Sequence, residues 1–230
     1  MVELKWLGHA AWEISSKDGV LLIDPFLSGN PLAPFGPEAV QRCDGILVSH
    51  DHSDHFGDAP ELAKKLGAPV VAMFETAAKA EQAGAKAIGA NIGGTVTIAG
   101  FRVTLVPALH SGGSNPSGFI VETEGIRIYH AGDTGLSLEM QLIGQLYRPS
   151  IALLPIGGHY TMDPAQAAQA IRLLKPRVAI PMHYNTWPPI SQDPKLFEEL
   201  VRRAKARAKV IILKPGESYK YEEVRPRKIS

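Results

Sequence analysis

Residues 50–55 read His50-Asp51-His52-Ser53-Asp54-His55 and follow directly on the apolar run Gly45-Ile46-Leu47-Val48-Ser49. Three imidazoles and two carboxylates in six residues form a donor density that ordinary globular sequence rarely reaches. Imidazole nitrogen and carboxylate oxygen together suit divalent Zn, Mn, Fe or Ni. On an extended segment His50 and His52 point to one side, and Asp54 and His55 continue into a turn. One ion cannot readily use all of these donors, so the cluster points to two ions held close together. A solvated turn would also be rich in Asp and Ser. The apolar strand in front argues against that reading, because a buried strand delivers the following loop to a fixed place.

Three later donors recur in the same setting, each after a predicted strand and beside Gly or Pro. His110 stands in Ala108-Leu109-His110-Ser111-Gly112-Gly113, Asp133 in His130-Ala131-Gly132-Asp133-Thr134-Gly135, and His183 in Pro181-Met182-His183-Tyr184-Asn185. Taken singly, each reads as an ordinary hydrogen-bonded residue. With the hexapeptide they complete a set of seven: His50, His52, Asp54, His55, His110, Asp133 and His183. That is enough for two ions with positions left for water.

The elements that must position these donors follow from the pattern along the chain. Strands are predicted at 2–7, 11–15 and 20–23, with Lys17-Asp18-Gly19 as a turn signal. Residues 25–37, rich in Pro and Gly, form an irregular loop whose Phe26, Leu27, Leu32 and Phe35 suit a pocket mouth or an interface. Strand 45–49, helix 59–66, strand 69–73 and helix 76–83 come next. Strands at 95–98, 102–107, 118–123 and 126–129 make an antiparallel set. Helices at 137–146, 164–174 and 194–206 then alternate with strands at 151–155, 178–182 and 210–213. Asp163-Pro164 is a strong helix start, a capping carboxylate before a proline in the first turn. Two successive halves of strands flanked by helices imply an α/β sandwich of the αββα kind, built as one domain over 1–230.

The chain has 230 residues, 45% hydrophobic and 20% charged, which is ample for a sizeable core. Twenty-four basic against 23 acidic residues leave a formal charge of +1 and no general pull toward nucleic acid or anionic membranes. The cluster Arg202-Arg203-Ala204-Lys205-Ala206-Arg207 reads as a solvated helix face. The single cysteine, Cys43, excludes a disulfide framework and is expected to pack as a small apolar residue. Met1-Val2-Glu3-Leu4-Lys5-Trp6 opens directly as a strand, without signal peptide or spanning segment, so the cytoplasm is the expected compartment.

The order His50-x-His52-x-Asp54-His55, His110, Asp133, His183, together with the early Leu22-Ile23-Asp24-Pro25, resembles the metallo-β-lactamase superfamily across nearly the whole chain. Gly8-His9-Ala10, Asp24-Pro25-Phe26-Leu27-Ser28-Gly29-Asn30-Pro31 and Pro155-Ile156-Gly157-Gly158-His159-Tyr160-Thr161-Met162 look like its UPF0173 metal-dependent hydrolase group. That group is similar to the ascorbate-6-phosphate lactonase branch. The resemblance implies that His50, His52 and His110 hold one ion, that Asp54, His55 and His183 hold a second, and that Asp133 bridges them. Two cations repel, and a shared carboxylate and hydroxide offset that. Such a pair, roughly 3.5–4 Å apart, also acidifies the water between them. Asp24 is expected to orient a ligand histidine through its ring N–H, or else to cap the turn before Pro25. Asp54, His9 and His159 are the candidates for a catalytic part, His159 lying just ahead of a helix N-terminus that would favour an anionic substrate group. His130 reads as structural.

The fold hosts many chemistries, so the site must decide among them. A secreted β-lactamase does not fit the absence of an export signal. An RNA-processing nuclease would need an added RNA-gripping arm, and a flavo-diiron oxidoreductase would carry Glu where His52 stands. A small-molecule hydrolase remains: two divalent ions, Zn first and Mn, Fe or Ni next, holding a hydroxide that attacks an ester-like bond. A lactone is the leading substrate and a phosphodiester the second. A metal-binding or sensing protein without turnover is the reading from another class. The expected partner is a small molecule, with no nucleic acid or membrane, and a homo-oligomer is compatible with the apolar loop.

Overall fold

Val2, Leu4 and Trp6 alternate with Glu3 and Lys5. In the computed structural model, which describes residues 1–223, this alternation buries one face of the first strand. Strands β1 (Val2–Trp6), β2 (Trp12–Ser16) and β3 (Gly19–Ile23) form an antiparallel meander. Strands β4 (Gly45–Val48), β5 (Val70–Met73) and β6 (Ala87–Ala90) then add in parallel. Parallel pairing needs crossovers. The short α1 (Ser53–Phe56) and α2 (Ala59–Leu66) lie between β4 and β5, and α3 (Phe74–Gln82) between β5 and β6.

The second sheet repeats the plan. Strands β7 (Thr95–Ile98), β8 (Phe101–Pro107), β9 (Ser117–Thr123) and β10 (Ile126–His130) are antiparallel, as expected from the sequence. Strands β11 (Ile151–Pro155), β12 (Val178–Met182) and β13 (Lys209–Val210) follow in parallel, joined through α4 (Glu139–Tyr147), α5 (Pro164–Leu174) and α6 (Pro194–Arg203). Strand β14 (Ser218–Tyr221) returns to the first sheet and pairs with β1. Each sheet has seven strands.

Strands covered on both faces carry apolar residues throughout, and β4, β5, β11 and β12 are buried at every position. The larger apolar cluster joins Trp12, Ile14 and Leu21 to Phe101, Phe119 and Tyr129 between the sheets, and continues to Ile171 and Phe197 under the second helical layer. A separate cluster packs Leu22, Ile46, Val48 and Val70 against Leu62, Ala77 and Ala80 of α2 and α3. The architecture is therefore the αββα sandwich expected. Among the described residues no helix is long and apolar enough to cross a membrane.

The differences fall at edges. Strands β6 and β14 were not anticipated. Ala87-Ile88-Gly89-Ala90 has neither alternation nor full burial, and Ser218–Tyr221 is a half-exposed edge. The strand expected at 210–213 is the two-residue β13, and α6 ends at Arg203 rather than at 206. Cys43 is buried, its thiol donating to the Gly45 carbonyl, and burial pushes it up to about 11, so it is inert.

One geometric rule positions the site. Strands β1, β3 and β4 share a direction in the first sheet, and β8, β10 and β12 share one in the second. Each ends just before a chemistry-bearing residue: His9, Asp24, His50, His110, Asp133 and His183. All six meet at one rim, where Ser117 N donates to Ser49 O across the sandwich.

Trp12 is fully buried between the sheets, and its indole N–H donates to Met182 Sδ at 3.3 Å on the opposite sheet. Trp12→Ala should cost about 3–5 kcal/mol, read as a lower denaturant midpoint at unchanged slope.

Candidate metal centre

The hexapeptide divides as it leaves β4. Ser49 and His50 are buried, and His52 precedes the first turn of α1, which carries Asp54 and His55. His50 Nε2 faces His52 Nδ1 at 2.9 Å, a contact that a proton or a cation must mediate. His110 reaches in from the loop after β8, its ring centroid 5.1 Å from His50 and 5.2 Å from His52. One nitrogen from each of these three rings lies within 4.8 Å of the others. Asp51 turns away: it accepts from Gly113 N at 3.0 Å and pairs with Lys79, which pins the His110 loop.

A second group forms beside the first, with donor atoms of His9, Asp54, His55 and His183 all within 4.8 Å of one another. Asp133 lies between the two. It groups with His50 and His55, its Oδ1 is 3.3 Å from His55 Nε2, and its Oδ2 is 3.0 Å from His183 Nε2 and 3.6 Å from His110 Nε2. The seven residues expected as ligands are thus brought together, with His9 joining the second set and Asp133 lying between the two.

The supporting contacts are specific. Asp24, fully buried, accepts from Ser49 N and Ser49 Oγ at 2.7 Å each and from His55 Nδ1 at 2.8 Å. This fixes the His55 ring so that its Nε2 faces Asp133. His9 is bonded at both ring nitrogens, to Thr186 Oγ1 at 2.7 Å and to Asp54 Oδ2 at 3.0 Å. Its carbonyl accepts from Trp6 Nε1 and His183 N, which ties the β1 turn to the end of β12. His9, Asp24 and His183 all adopt left-handed backbone, with φ of 55°, 46° and 54°. Such conformations cost about 1–3 kcal/mol each for non-glycine residues and cluster at functional sites. Gly132, at φ 61°, sets the turn before Asp133, where a Cβ would lie 2.6 Å from Ser117 O. His130 is buried, bonding Ala10 O and accepting from Gly132 N, which is the structural role expected.

The electrostatics favour a cation. Asp24, Asp54 and Asp133 pair only with histidines among the described residues. Burial works to raise the Asp133 carboxyl, but the charges of His183 and His55 outweigh it and hold the group well below the carboxylate range. Burial likewise opposes ionisation of Asp54, and the His9 hydrogen bond followed by the His55 charge overcomes it. For His55 burial favours the neutral ring, yet Asp133 and Asp24 raise it well above the usual imidazole range. Burial lowers His50 to about 3, and burial with the His183 charge lowers His9 to about 4, so both are neutral at pH 7. His55 Nε2, His183 Nε2 and Asp133 Oδ1 are buried without a hydrogen-bond partner. A buried polar atom left unmade costs about 1–3 kcal/mol, and a divalent ion would satisfy all three. The residues present therefore fit a metal.

A cleft of about 270 Å³ opens onto this centre, lined by His52, Asp54, His110, Asp133 and His183 with Tyr160 and Trp187 at the mouth. His159 stands outside the lining, exposed, its ring edge-on to Tyr160 at 4.5 Å. The helix N-terminus behind it is already occupied: Asp163 accepts from Gln166 N in a closed capping box, which leaves no free anion site. The 25–37 loop is split. Phe26 packs on His9 and Trp187 beside the mouth, whereas Leu27 and Phe35 join the core against α2. Sequence reasoning missed Ser49, Thr186 and Tyr160. Only Tyr160 carried a signal, lying in a glycine-flanked loop beside a histidine already singled out.

The chain is similar to known proteins along nearly its whole length. Residues 3–183 match the family model described as a beta-lactamase superfamily domain. A UPF0173 metal-dependent hydrolase of Methanopyrus kandleri is 49% identical over 95% of this chain and 99% of its own length. One from Thermococcus kodakarensis is 51% identical over 94% and 98%. Among solved structures, Igni18, a metallo hydrolase from Ignicoccus hospitalis, superposes with a TM-score of 0.89 at 42% identity, covering 96% of this chain and 99% of that one. The chain belongs to the UPF0173 metal-dependent hydrolases of the β-lactamase superfamily.

Proposed function

We propose that this chain is a dinuclear hydrolase that opens an ester-like bond in a small molecule, with a lactone as the leading substrate. The observation that carries the reading is the convergence of two donor sets on one buried carboxylate, Asp133, with unpartnered ligand atoms around it. In this reading His50, His52 and His110 hold one ion, Asp54, His55 and His183 hold the other, and Asp133 bridges them. The donor set suits Zn first, with Mn, Fe or Ni as alternatives. When bound, such ions supply a water acidic enough to attack at neutral pH and polarise the bond attacked.

The chain's own residues do the rest. Asp24 holds His55 in one tautomer and orientation. His9 holds Asp54 through Nε2, and its catalytic part is to orient that carboxylate and exchange a proton with it. Tyr160 and Trp187 form an uncharged mouth, and His159 acts through its contact with Tyr160. Among the described residues no Lys or Arg lines this cleft, which favours a neutral cyclic ester over a phosphate-bearing substrate. A small volume favours a small molecule. A protein that only stores or senses a metal needs no open cleft above the ions.

The purified protein should carry two equivalents of divalent metal by elemental analysis, and Asp133→Ala should lose at least one. An Asp133→Ala protein that keeps both would refute the bridging assignment. With metal restored, a lactone panel assayed beside a chromogenic phosphodiester should show lactone opening that a chelator abolishes. Phosphodiester cleavage alone would replace the lactone with the second substrate class. His159→Ala should keep its metal and turn over more slowly; unchanged kinetics would return His159 to a surface role.

A further inference from the structure

A larger cleft, of about 680 Å³, lies at the other end of the same strands. Arg127 at the start of β10, Ser150 just before β11 and Arg177 just before β12 contribute to its wall, together with the last turns of α4 and α5. Among the described residues five cations line it, Arg127, Arg148, Arg172, Lys175 and Arg177, against one carboxylate, Glu223. Lys205 and Arg207, read from the sequence as a solvated helix face, line an adjoining depression with Arg172 and Lys175. Among the described residues the metal cleft has no lysine or arginine in its lining, so their charge is segregated although the chain's net charge is only +1.

Helix ends account for part of this. Arg148 and Lys175 are the C-caps of α4 and α5, and a helix C-terminus carries about half a negative charge that favours cations. Two such ends and Glu223, set against five cations, still leave roughly three positive charges unneutralised. Among the described residues only Arg177 of the five has an acidic partner, Glu223 at 3.1 Å. Arg127 is on a strand, half-buried, with no ion pair or side-chain hydrogen bond among the described residues, and no helix end explains it. A guanidinium offers five N–H donors in a fork that matches phosphate oxygens.

We propose that this cleft is a second binding site, for a small molecule carrying two or more linked phosphates. Its volume falls within the range of small-ligand sites, and Gln141, Gln145 and Ser150 add neutral hydrogen-bonding groups to the lining. No aromatic side chain lines it, so bases have no stacking platform. The phosphates themselves are recognised, and a bare polyphosphate binds as well as a nucleotide. The concave form and the lack of aromatics set it apart from a nucleic-acid surface. Strands β10 and β12 begin at this cleft and lead to Asp133 and His183 at the metal centre.

The test is isothermal titration of inorganic triphosphate, and separately of adenosine triphosphate, into the metal-loaded full chain at about 0.15 M salt. The wild type should bind both at one site with comparable affinity. Arg127→Gln with Lys175→Gln should weaken binding about tenfold or more, as expected from losing even one charge-assisted hydrogen bond. Arg202→Gln with Arg203→Gln, which removes equal charge from the exposed face of α6, should leave it unchanged, as should Asp133→Asn. Hydrogen exchange on the wild type should show triphosphate protecting amides at 144–150 and 172–178, a readout independent of any variant's folding. Failure of the wild type to bind, equal loss in both double variants, loss in Asp133→Asn, or protection confined to other segments would each overturn the proposal. So would an oligonucleotide that binds these residues far more tightly than triphosphate.

Discussion

Three carboxylates, Asp24, Asp54 and Asp133, enter the rim between the sheets, and among the described residues no lysine or arginine pairs with them. Burying an uncompensated carboxylate is among the most expensive things a fold can do. Among the side chains the compensation comes from histidine, as Asp133 and Asp24 raise His55 well above the usual imidazole range while burial lowers its neighbours His9 and His50. A divalent ion meets the same demand more completely, because it also occupies the unpartnered atoms of His55, His183 and Asp133. Loading the centre is thus an exchange of protons for metal, and the site is coupled to pH before any substrate arrives.

The sheets make that arrangement rigid. Each donor-bearing loop leaves a strand that is paired on both sides, and the chain turns sharply at His9, Asp24 and His183 through left-handed backbone. The strain is borne by the pairing and core contacts behind it, so the donors cannot relax toward a solvated turn. Contacts between sheets add to this, through the His9 carbonyl bonded to His183 N and the indole of Trp12 against Met182. Placing ligands on two sheets means that the centre also clamps the sandwich at one rim.

The layered architecture and the clustering of the candidate donors were legible because their signals are local and strong. Helices 59–66 and 164–174 and strands 151–155 and 178–182 match the structure at both ends, each bounded by proline, glycine or a capping residue. The hexapeptide and three strand-end donors showed which residues would meet. Their partners did not show. Ser49 and Thr186 are ordinary hydroxyl residues until the fold brings Asp24 and His9 to them across the chain. The role of Asp24 could be weighed against turn capping only once its carboxylate was seen on His55. Edge strands β6 and β14 are only four residues each and are nowhere covered on both faces, so neither shows the continuous apolar run of the central strands. The basic cleft was invisible for a related reason: Arg127, Arg148 and Arg177 are scattered in sequence and converge only where three strands begin and two helices end.

Strand β14, which follows every other described strand in chain order, pairs with β1, so the first sheet is completed only after the strands of the second have been made. Until then β1 offers an open edge, and unpaired edges invite pairing with other chains. The contacts that assemble the metal rim also span most of the sequence, from His9 to His183, and long-range contacts of this kind form late. A nascent chain emerges with the His-rich turn already made but with Asp133 and His183 still to come. A chain stalled before residue 183 presents the three-histidine set without the His183 that completes the second set.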